Sequence, residues 1–135
     1  MHILFTDGGC TNSNQKDQSI RKLIMVVSDS ESNILSETYM DGGSNNIAEL
    51  LAIESALQVI ENRDDKQDYF IKTDSKVAMA WLKSPKVGKH LNNRTLVLEI
   101  KERIRLLRER MSVTFGWIPR EENLAGHYIE NRYGL

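Results

Sequence analysis

Apolar and polar positions follow two different periods along this chain, and together they predict five strands and four helices. Short apolar runs are typical of buried strands, whereas apolar positions spaced three and four apart are typical of helices. The strands are predicted at about His2 to Thr6, Ile20 to Ser28, Ile34 to Met40, Asp68 to Thr73 and Val113 to Trp117.

The helices are predicted from capping residues, apolar stripes and chain breakers. They are expected at Asn45 to about Asn62, Lys76 to Leu82, a long segment with a stripe from Val97 to Met111, and about Glu121 to Asn131. The element order is then β-β-β-α-β-α-α-β-α. This order predicts an α/β fold with one five-stranded mixed sheet and helices on both faces.

Length and composition narrow the class of protein. The 135 residues are expected to form a single domain, residues 1–135, and the 40% apolar and 27% charged content is ordinary for a globular chain. The net charge of -1 does not by itself indicate a nucleic-acid binder. The single cysteine, Cys10, excludes an internal disulfide and suits a reducing compartment. With no secretory signal and no apolar run of about 20 residues, we expect a cytoplasmic protein without membrane contact, monomeric by default.

Three acidic residues are the candidates for chemistry. Asp7 is expected where the first strand ends, with Gly8 and Gly9 turning the chain sharply after it. Asp74 ends another apolar strand, and Glu49 lies in the first turns of a helix. Carboxylates from three elements repel one another and raise one another's pKa unless they share a metal ion. The pattern therefore predicts a metal site.

Four ordered motifs carry a resemblance to a known family. They are Thr6-Asp7-Gly8-Gly9-Cys10, Ser44-Asn45-Asn46-Ile47-Ala48-Glu49-Leu50, Thr73-Asp74-Ser75 followed by Trp81, and Trp117-Ile118-Pro119-Arg120-Glu121-Glu122-Asn123. Each motif alone is weak, but the ordered set covers essentially the whole chain. The chain resembles a type 1 ribonuclease H, and its fold is expected to be ribonuclease H-like.

The resemblance implies an endonuclease that hydrolyses the RNA strand of RNA–DNA hybrids with two divalent ions per site. Oxygen ligands of this kind suit Mg²⁺ or Mn²⁺, and two ions are suited to an in-line displacement. It implies that Asp7 bridges both ions and that Glu49 and Asp74 each complete one side. Glu49 is also expected to contact the ribose 2′-hydroxyl, which distinguishes RNA from DNA.

The chain departs from the family pattern at the fourth metal ligand. An aspartate is usual four residues after an asparagine, in a pattern resembling Asn-x-x-Ala-Asp, and here His127 stands at that position after Asn123. Either His127 binds the ion, or Glu130 one turn later does so, or the site is impaired. Because imidazole is a softer ligand than carboxylate, His127 predicts a stronger relative preference for Mn²⁺ than an all-acid site shows.

Candidate substrate contacts fall into two chemical classes. Amide side chains suit base edges and 2′-hydroxyl groups, and lysines suit phosphates. The predicted nucleic-acid-binding residues are Gly8, Gly9, Cys10, Asn12, Asn14, Asn45, Asn46, Lys83, Lys86 and Lys89. The arginines after Lys101 are read as a solvated helix face, and Trp81 and Trp117 are expected in the core.

Two further functions stay open beside the hybrid-cutting endonuclease. One is a catalytically weak module that binds hybrids or duplexes, which only His127 favours. The other is a ribonuclease H-fold nuclease for another nucleic acid. Asp7, Glu49 and Asp74 together favour an enzyme, because a pure binder gains nothing from clustered acids beside phosphates. Asn45 and Asn46 before Glu49 favour hybrids as the substrate.

Overall fold

Five strands form one mixed sheet, as the sequence predicts. The computed structural model describes residues 1–88 and 92–135. The strands are β1 (His2–Thr11), β2 (Lys22–Asp29), β3 (Ile34–Asp41), β4 (Asp68–Thr73) and β5 (Ser112–Trp117). The α-helices of the described ranges are α1 (Asn45–Arg63), α2 (Lys76–Lys83), α3 (Arg94–Arg108) and α4 (Leu124–Tyr133). The predicted fold class and the order of its elements are confirmed.

The sheet has the order β3-β2-β1-β4-β5, so β1 lies at its centre. β1 pairs antiparallel with β2 and parallel with β4, and β4 pairs parallel with β5. Side chains alternate between two apolar cores. Leu4 and Leu23 lie in the core shared with α1, α2 and α3, whereas Phe5 and Ile24 lie in the core shared with α4. Helices therefore cover both faces.

The first strand is longer than predicted, and the expected turn at Gly8 and Gly9 is wrong. Parallel pairing with β4 ends at Thr6, but antiparallel pairing with β2 continues to Thr11. Gly8 is needed for a different reason. A Cβ atom there would lie 2.3 Å from the carbonyl carbon of Ala48, so α1 packs directly on the strand backbone. Asp7 consequently lies inside β1, one residue past the end of its pairing with β4.

At two further boundaries, polar side chains cap the backbone and shift the element from its predicted start. The last helix begins at Leu124, since the Asn123 side chain accepts hydrogen bonds from the first N–H groups of α4. A 3₁₀ turn, Arg120–Glu122, occupies the residues expected to start that helix. Another 3₁₀ turn, Gln18–Ile20, precedes β2 and delays its start. None of the helices in the described ranges is both long and apolar enough to cross a bilayer.

Candidate active site

Three carboxylates from three elements converge at one edge of the sheet. Asp7 and Asp74 follow Thr6 and Thr73, which are paired across β1 and β4. Glu49 reaches the same place from the second turn of α1. One ligand oxygen from each of the three side chains lies within 4.8 Å of the other two. We call Asp7, Glu49 and Asp74 the acid cluster.

Glu49 is positioned by the close contact between α1 and β1. The helix begins with Ser44 as its N-cap, whose hydroxyl accepts a hydrogen bond from the Ile47 N–H. The backbone N–H of Gly8 then donates to Glu49 Oε1 at 2.5 Å. Only a residue without a Cβ lets the strand come this near to the helix. The same glycine therefore determines both the packing of α1 and the orientation of this carboxylate.

Asn123 holds Asp74 and the start of α4 together, a role that the sequence analysis did not identify. Its Nδ2 donates to the carbonyl oxygen of Thr6 at 2.9 Å and to Asp74 Oδ2 at 3.0 Å. Its Oδ1 accepts hydrogen bonds from the N–H groups of Ala125 and Gly126. The side chain is fully buried and uses its polar atoms on both sides. From the sequence, Asn123 was used only to locate the position of the fourth metal ligand, four residues later.

Asp7 is a buried acid without hydrogen-bond donors. Its residue surface is 0% exposed, and neither carboxylate oxygen accepts a hydrogen bond from an N–H or O–H group of the described residues. The nearest positive charge is Arg120, whose Nη1 lies 3.5 Å from Asp7 Oδ2 and 3.5 Å from Asp74 Oδ2. Burial raises the pKa of Asp7 from 3.8 to about 6, and the Asp74 charge adds to this rise.

The same forces act on Glu49. Burial, followed by the nearby Asp7 carboxyl, raises the pKa of Glu49 well above its ordinary value. Asp7 and Glu49 therefore lie close enough to share a proton when no cation is bound. Two buried acids competing for one proton form a site in which added positive charge is strongly favoured.

The predicted fourth ligand lies outside this cluster. Within residues 1–88 and 92–135, the only set of at least three acid, histidine or cysteine side chains with ligand atoms this close is the acid cluster itself. His127 is half-buried on α4 and Glu130 is exposed. The residue of α4 that faces Asp7 is Gly126, where a Cβ would lie 3.4 Å from Asp7 Oδ2. A Cβ at this position would make ordinary van der Waals contact with the carboxylate.

Comparison with known proteins identifies the family. The RNase H family profile matches residues 1–132 of the chain. The chain belongs to the RNase H family. A search of curated protein sequences gives no significant match.

Several solved RNase H1 structures have the same fold. LC11-RNase H1, isolated from compost by a metagenomic approach, is 24% identical with a TM-score of 0.69, covering 95% of this chain and 91% of that one. Its complex with an RNA/DNA hybrid is 25% identical with a TM-score of 0.65, covering 91% and 88%. RNase H1 from Halobacterium salinarum NRC-1 is 18% identical with a TM-score of 0.68, covering 94% and 92%.

A cavity of about 370 Å³ opens beside Asp7 in this RNase H chain. Its lining includes Asp7, the glycines after it, Ser13, Asn45 and Arg120. Of the predicted binding residues, Asn12, Asn14, Asn45 and Asn46 are exposed near this opening or on the segments that flank it. Ser13, which lies between two of these asparagines, was not predicted, because a single serine in a polar loop does not by itself indicate a binding residue.

Packing against neighbouring elements explains the residue types at Gly8, Gly9 and Cys10. Gly8 lies under α1, and a Cβ at Gly9 would lie 3.1 Å from the side chain of Ile129. Cys10 is 4% exposed and belongs to the core beneath α1. The burial of the thiol favours packing over a contact with substrate.

The predicted phosphate contacts lie at the end of α2. Lys83 and Lys86 are exposed there, and Lys89 lies outside the described residues. Three arginines in α3 and just after it instead pair with acids. Arg103 pairs with Glu54, and the other pairs are Arg105 with Glu102 and Glu109, and Arg110 with Glu61. The pairs of Arg105 and Arg110 are exposed, as expected for a solvated face, whereas Arg103 pairs with the buried Glu54.

The two tryptophans differ in their exposure to solvent. Trp81 is half-buried and packs on the larger core, as expected. The prediction of a core position for Trp117 is wrong, since the residue is 45% exposed at the end of the edge strand β5. Its indole N–H donates to the backbone carbonyl of Asp74 at 2.9 Å. Alternation along a strand cannot reveal exposure when the strand lies at the edge of the sheet.

Proposed function

We propose that this protein is an endonuclease that hydrolyses the RNA strand of RNA–DNA hybrids. The observation that carries the proposal is the acid cluster, in which Asp7 offers two buried oxygens without donors. The family adds support, because LC11-RNase H1 has been solved with an RNA/DNA hybrid. Exposed amides beside the cavity supply the donors and acceptors that a minor-groove contact with a hybrid requires.

The donor set of the acid cluster fits a hard divalent cation. Carboxylate oxygens suit Mg²⁺ or Mn²⁺, and the buried Asp7 oxygens have no competing hydrogen-bond donor. We propose that Asp7, Glu49 and Asp74 would hold two ions per site, with His127 or Glu130 as the fourth ligand. Such ions would supply activation of the attacking water and stabilisation of the leaving oxygen.

The residues of the chain prepare this site before any ion is bound. Asn123 fixes the Asp74 carboxylate, and the Gly8 N–H fixes Glu49. Burial excludes water from Asp7, so its charge acts at close range with little screening. Asn45 borders the cavity from the start of α1, where its amide is available to a strand lying across the opening. Lys83 and Lys86 are available for the phosphates of the partner strand.

The test is cleavage of an end-labelled RNA–DNA hybrid, with RNA–RNA and DNA–DNA duplexes alongside, in Mg²⁺ and separately in Mn²⁺. We expect the RNA strand of the hybrid alone to be cut. Asp7→Asn should abolish this cutting, whereas Glu31→Gln, an exposed acid in a distant turn, should not change it. Cutting of all three duplexes at similar rates would contradict hybrid specificity.

A second function is favoured by one observation, the separation of His127 from the acid cluster. If no ligand from α4 completes the site, the protein would bind hybrids and cut them poorly. The same assay separates the two functions when hybrid binding is measured in parallel. Intact binding without cutting in either metal would favour the binding module.

A further inference from the structure

The side chain of Arg120 lies between two members of the acid cluster. Its Nη1 is 3.5 Å from Asp7 Oδ2 and 3.5 Å from Asp74 Oδ2. Within the described part of the chain, no other basic group lies within 4.0 Å of the cluster carboxylates. Arg120 thus supplies the nearest positive charge to three acids that lie within 4.8 Å of one another.

The contact is electrostatic and loosely held. At 3.5 Å the guanidinium donates no hydrogen bond to either carboxylate, and both Asp7 oxygens stay without a donor. The Arg120 side chain is 45% exposed, so it has free space to move away. A docked arginine would instead form the short paired bonds that Arg103 makes with Glu54, at 2.6 and 3.0 Å.

The backbone that carries Arg120 is, by contrast, firmly anchored. Its carbonyl oxygen accepts a hydrogen bond from the Asn123 N–H at 3.0 Å, closing the 3₁₀ turn. The Asn123 side chain in turn holds Asp74. The guanidinium is therefore attached at a fixed point beside the cluster while its own contact remains easy to break.

We propose that Arg120 is a built-in counter-cation that competes with a divalent ion for the space between Asp7 and Asp74. The inference rests on the proposed function, because it takes the acid cluster as an ion site. A guanidinium and a divalent ion repel each other when both lie beside the same two carboxylates. Ion binding therefore requires Arg120 to swing out, and the lost contact lowers the affinity of the site for the ion.

This competition has two linked consequences. Removing the charge of Arg120 should tighten ion binding, because the ion no longer displaces a cation. It should also destabilise the ion-free protein, because the acid cluster then lacks its nearest positive charge. Coupling between two cations is reciprocal, and couplings of this kind commonly change an affinity by about 5-fold or more.

The test is calorimetric titration of MgCl₂ and of MnCl₂ into the protein without nucleic acid, at fixed ionic strength. Arg120→Gln and Arg120→Met remove the charge, and Arg120→Lys keeps it. Arg132→Gln is the matched control, since that arginine pairs with Glu37 rather than with the cluster. Circular dichroism of each variant establishes that it is folded. Two neutral variants are used so that the test can still be made if one of them does not fold.

We expect both neutral variants to bind the ion about 5-fold more tightly or better, and Arg120→Lys and Arg132→Gln to stay near the parent affinity. The ion-free neutral variants should also melt at lower temperature. Equal or weaker ion binding by the neutral variants would overturn the inference, as would an equal gain from Arg132→Gln. The absence of ion binding in every variant would instead contradict the ion site and the proposed function.

Discussion

Two acidic regions flank helix α4, the acid cluster and the single residue Glu37, and their surroundings are opposite. The acid cluster lies beside the start of the helix, where Asp7 is buried without a hydrogen-bond donor. Glu37 of β3 lies beside its later turns and is surrounded by donors. The hydroxyls of three tyrosines and one guanidinium converge on this carboxylate, from Tyr39, Tyr128, Tyr133 and Arg132.

The donors reverse the effect of burial on ionisation. Burial opposes the charge of Glu37, but hydrogen bonds from Tyr133, Tyr128 and Tyr39 outweigh it and lower the pKa of Glu37. At Asp7 burial outweighs the lowering effects of the Glu49 carboxyl, of Arg120 and of Gly8, and the pKa rises to about 6. Glu37 therefore stabilises the fold by tying α4 to the edge of the sheet. An acid such as Asp7, whose burial is offset only in part, destabilises the fold and needs a functional reason.

The largest expected effect comes from Asp7→Asn, which should separate activity from stability. Removing a residue that only hydrogen-bonds to a metal ligand costs about 10- to 100-fold in activity. Removing the ligand itself should therefore lower activity by more than about 100-fold. The ion-free variant should be as stable as the parent or more so, because a buried charge that Arg120 offsets only in part is removed. Hybrid cleavage and urea unfolding measure the two properties. A variant that retains activity but loses stability would reverse the roles assigned to the two regions.

Glu37→Gln should show the opposite behaviour. The amide cannot accept all the donors that converge on the carboxylate, so the unfolding free energy should fall by about 1 to 2 kcal/mol. Urea denaturation at pH 7 measures this loss, and Glu31→Gln, in an exposed turn, is the control. Ion affinity should change little, because Glu37 does not belong to the acid cluster. A loss of ion binding without a loss of stability would contradict this assignment.

The two regions should also give pH dependences of opposite sign in ion-free buffer. Because the pKa of Asp7 is raised, the contribution of Asp7 to the free energy of unfolding falls as pH rises from about 4 to above about 6. Because the pKa of Glu37 is lowered, its contribution is present above the ordinary value of 4.5 and is lost as pH falls. We would measure the free energy of unfolding across pH for the parent, Asp7→Asn and Glu37→Gln. The difference between the parent and each variant gives the pH slope due to that residue. Slopes of the same sign would refute the contrast.

A smaller effect is expected at His127, on the helix that joins the two regions. If imidazole binds the ion, His127→Asp should lower the ratio of Mn²⁺-supported to Mg²⁺-supported cleavage, because carboxylate is the harder ligand. Rates measured in each metal with the same hybrid give this ratio, and Glu130→Gln provides the comparison for the alternative ligand. A ratio unchanged by His127→Asp but altered by Glu130→Gln would assign the role to Glu130.

Local patterns predicted the elements and the three acids, because short apolar runs and chain breakers determine both. The length of β1 escaped prediction because its last residues pair with β2 alone, and because Gly8 serves the packing of α1 rather than a turn. Arg120 and the tyrosines around Glu37 escaped because most of their contacts join distant parts of the chain. Tyr128 and Glu37 are 91 positions apart, so no local spacing indicates their contact. Residues defined by their own neighbourhood are predictable, whereas partners brought together by the fold are not.

The most direct test of the central claim is thermal unfolding with and without Mg²⁺ or Mn²⁺, in the absence of nucleic acid, for the parent and for Asp7→Asn. A ligand that binds only the folded state stabilises it by RT ln(1 + [L]/Kd) and therefore raises the melting temperature. If the acid cluster holds the ions, either metal should raise the melting temperature of the parent and leave Asp7→Asn nearly unchanged. An equal rise in both proteins, or no rise in the parent, would contradict the assignment of the ion site to Asp7 and its neighbours.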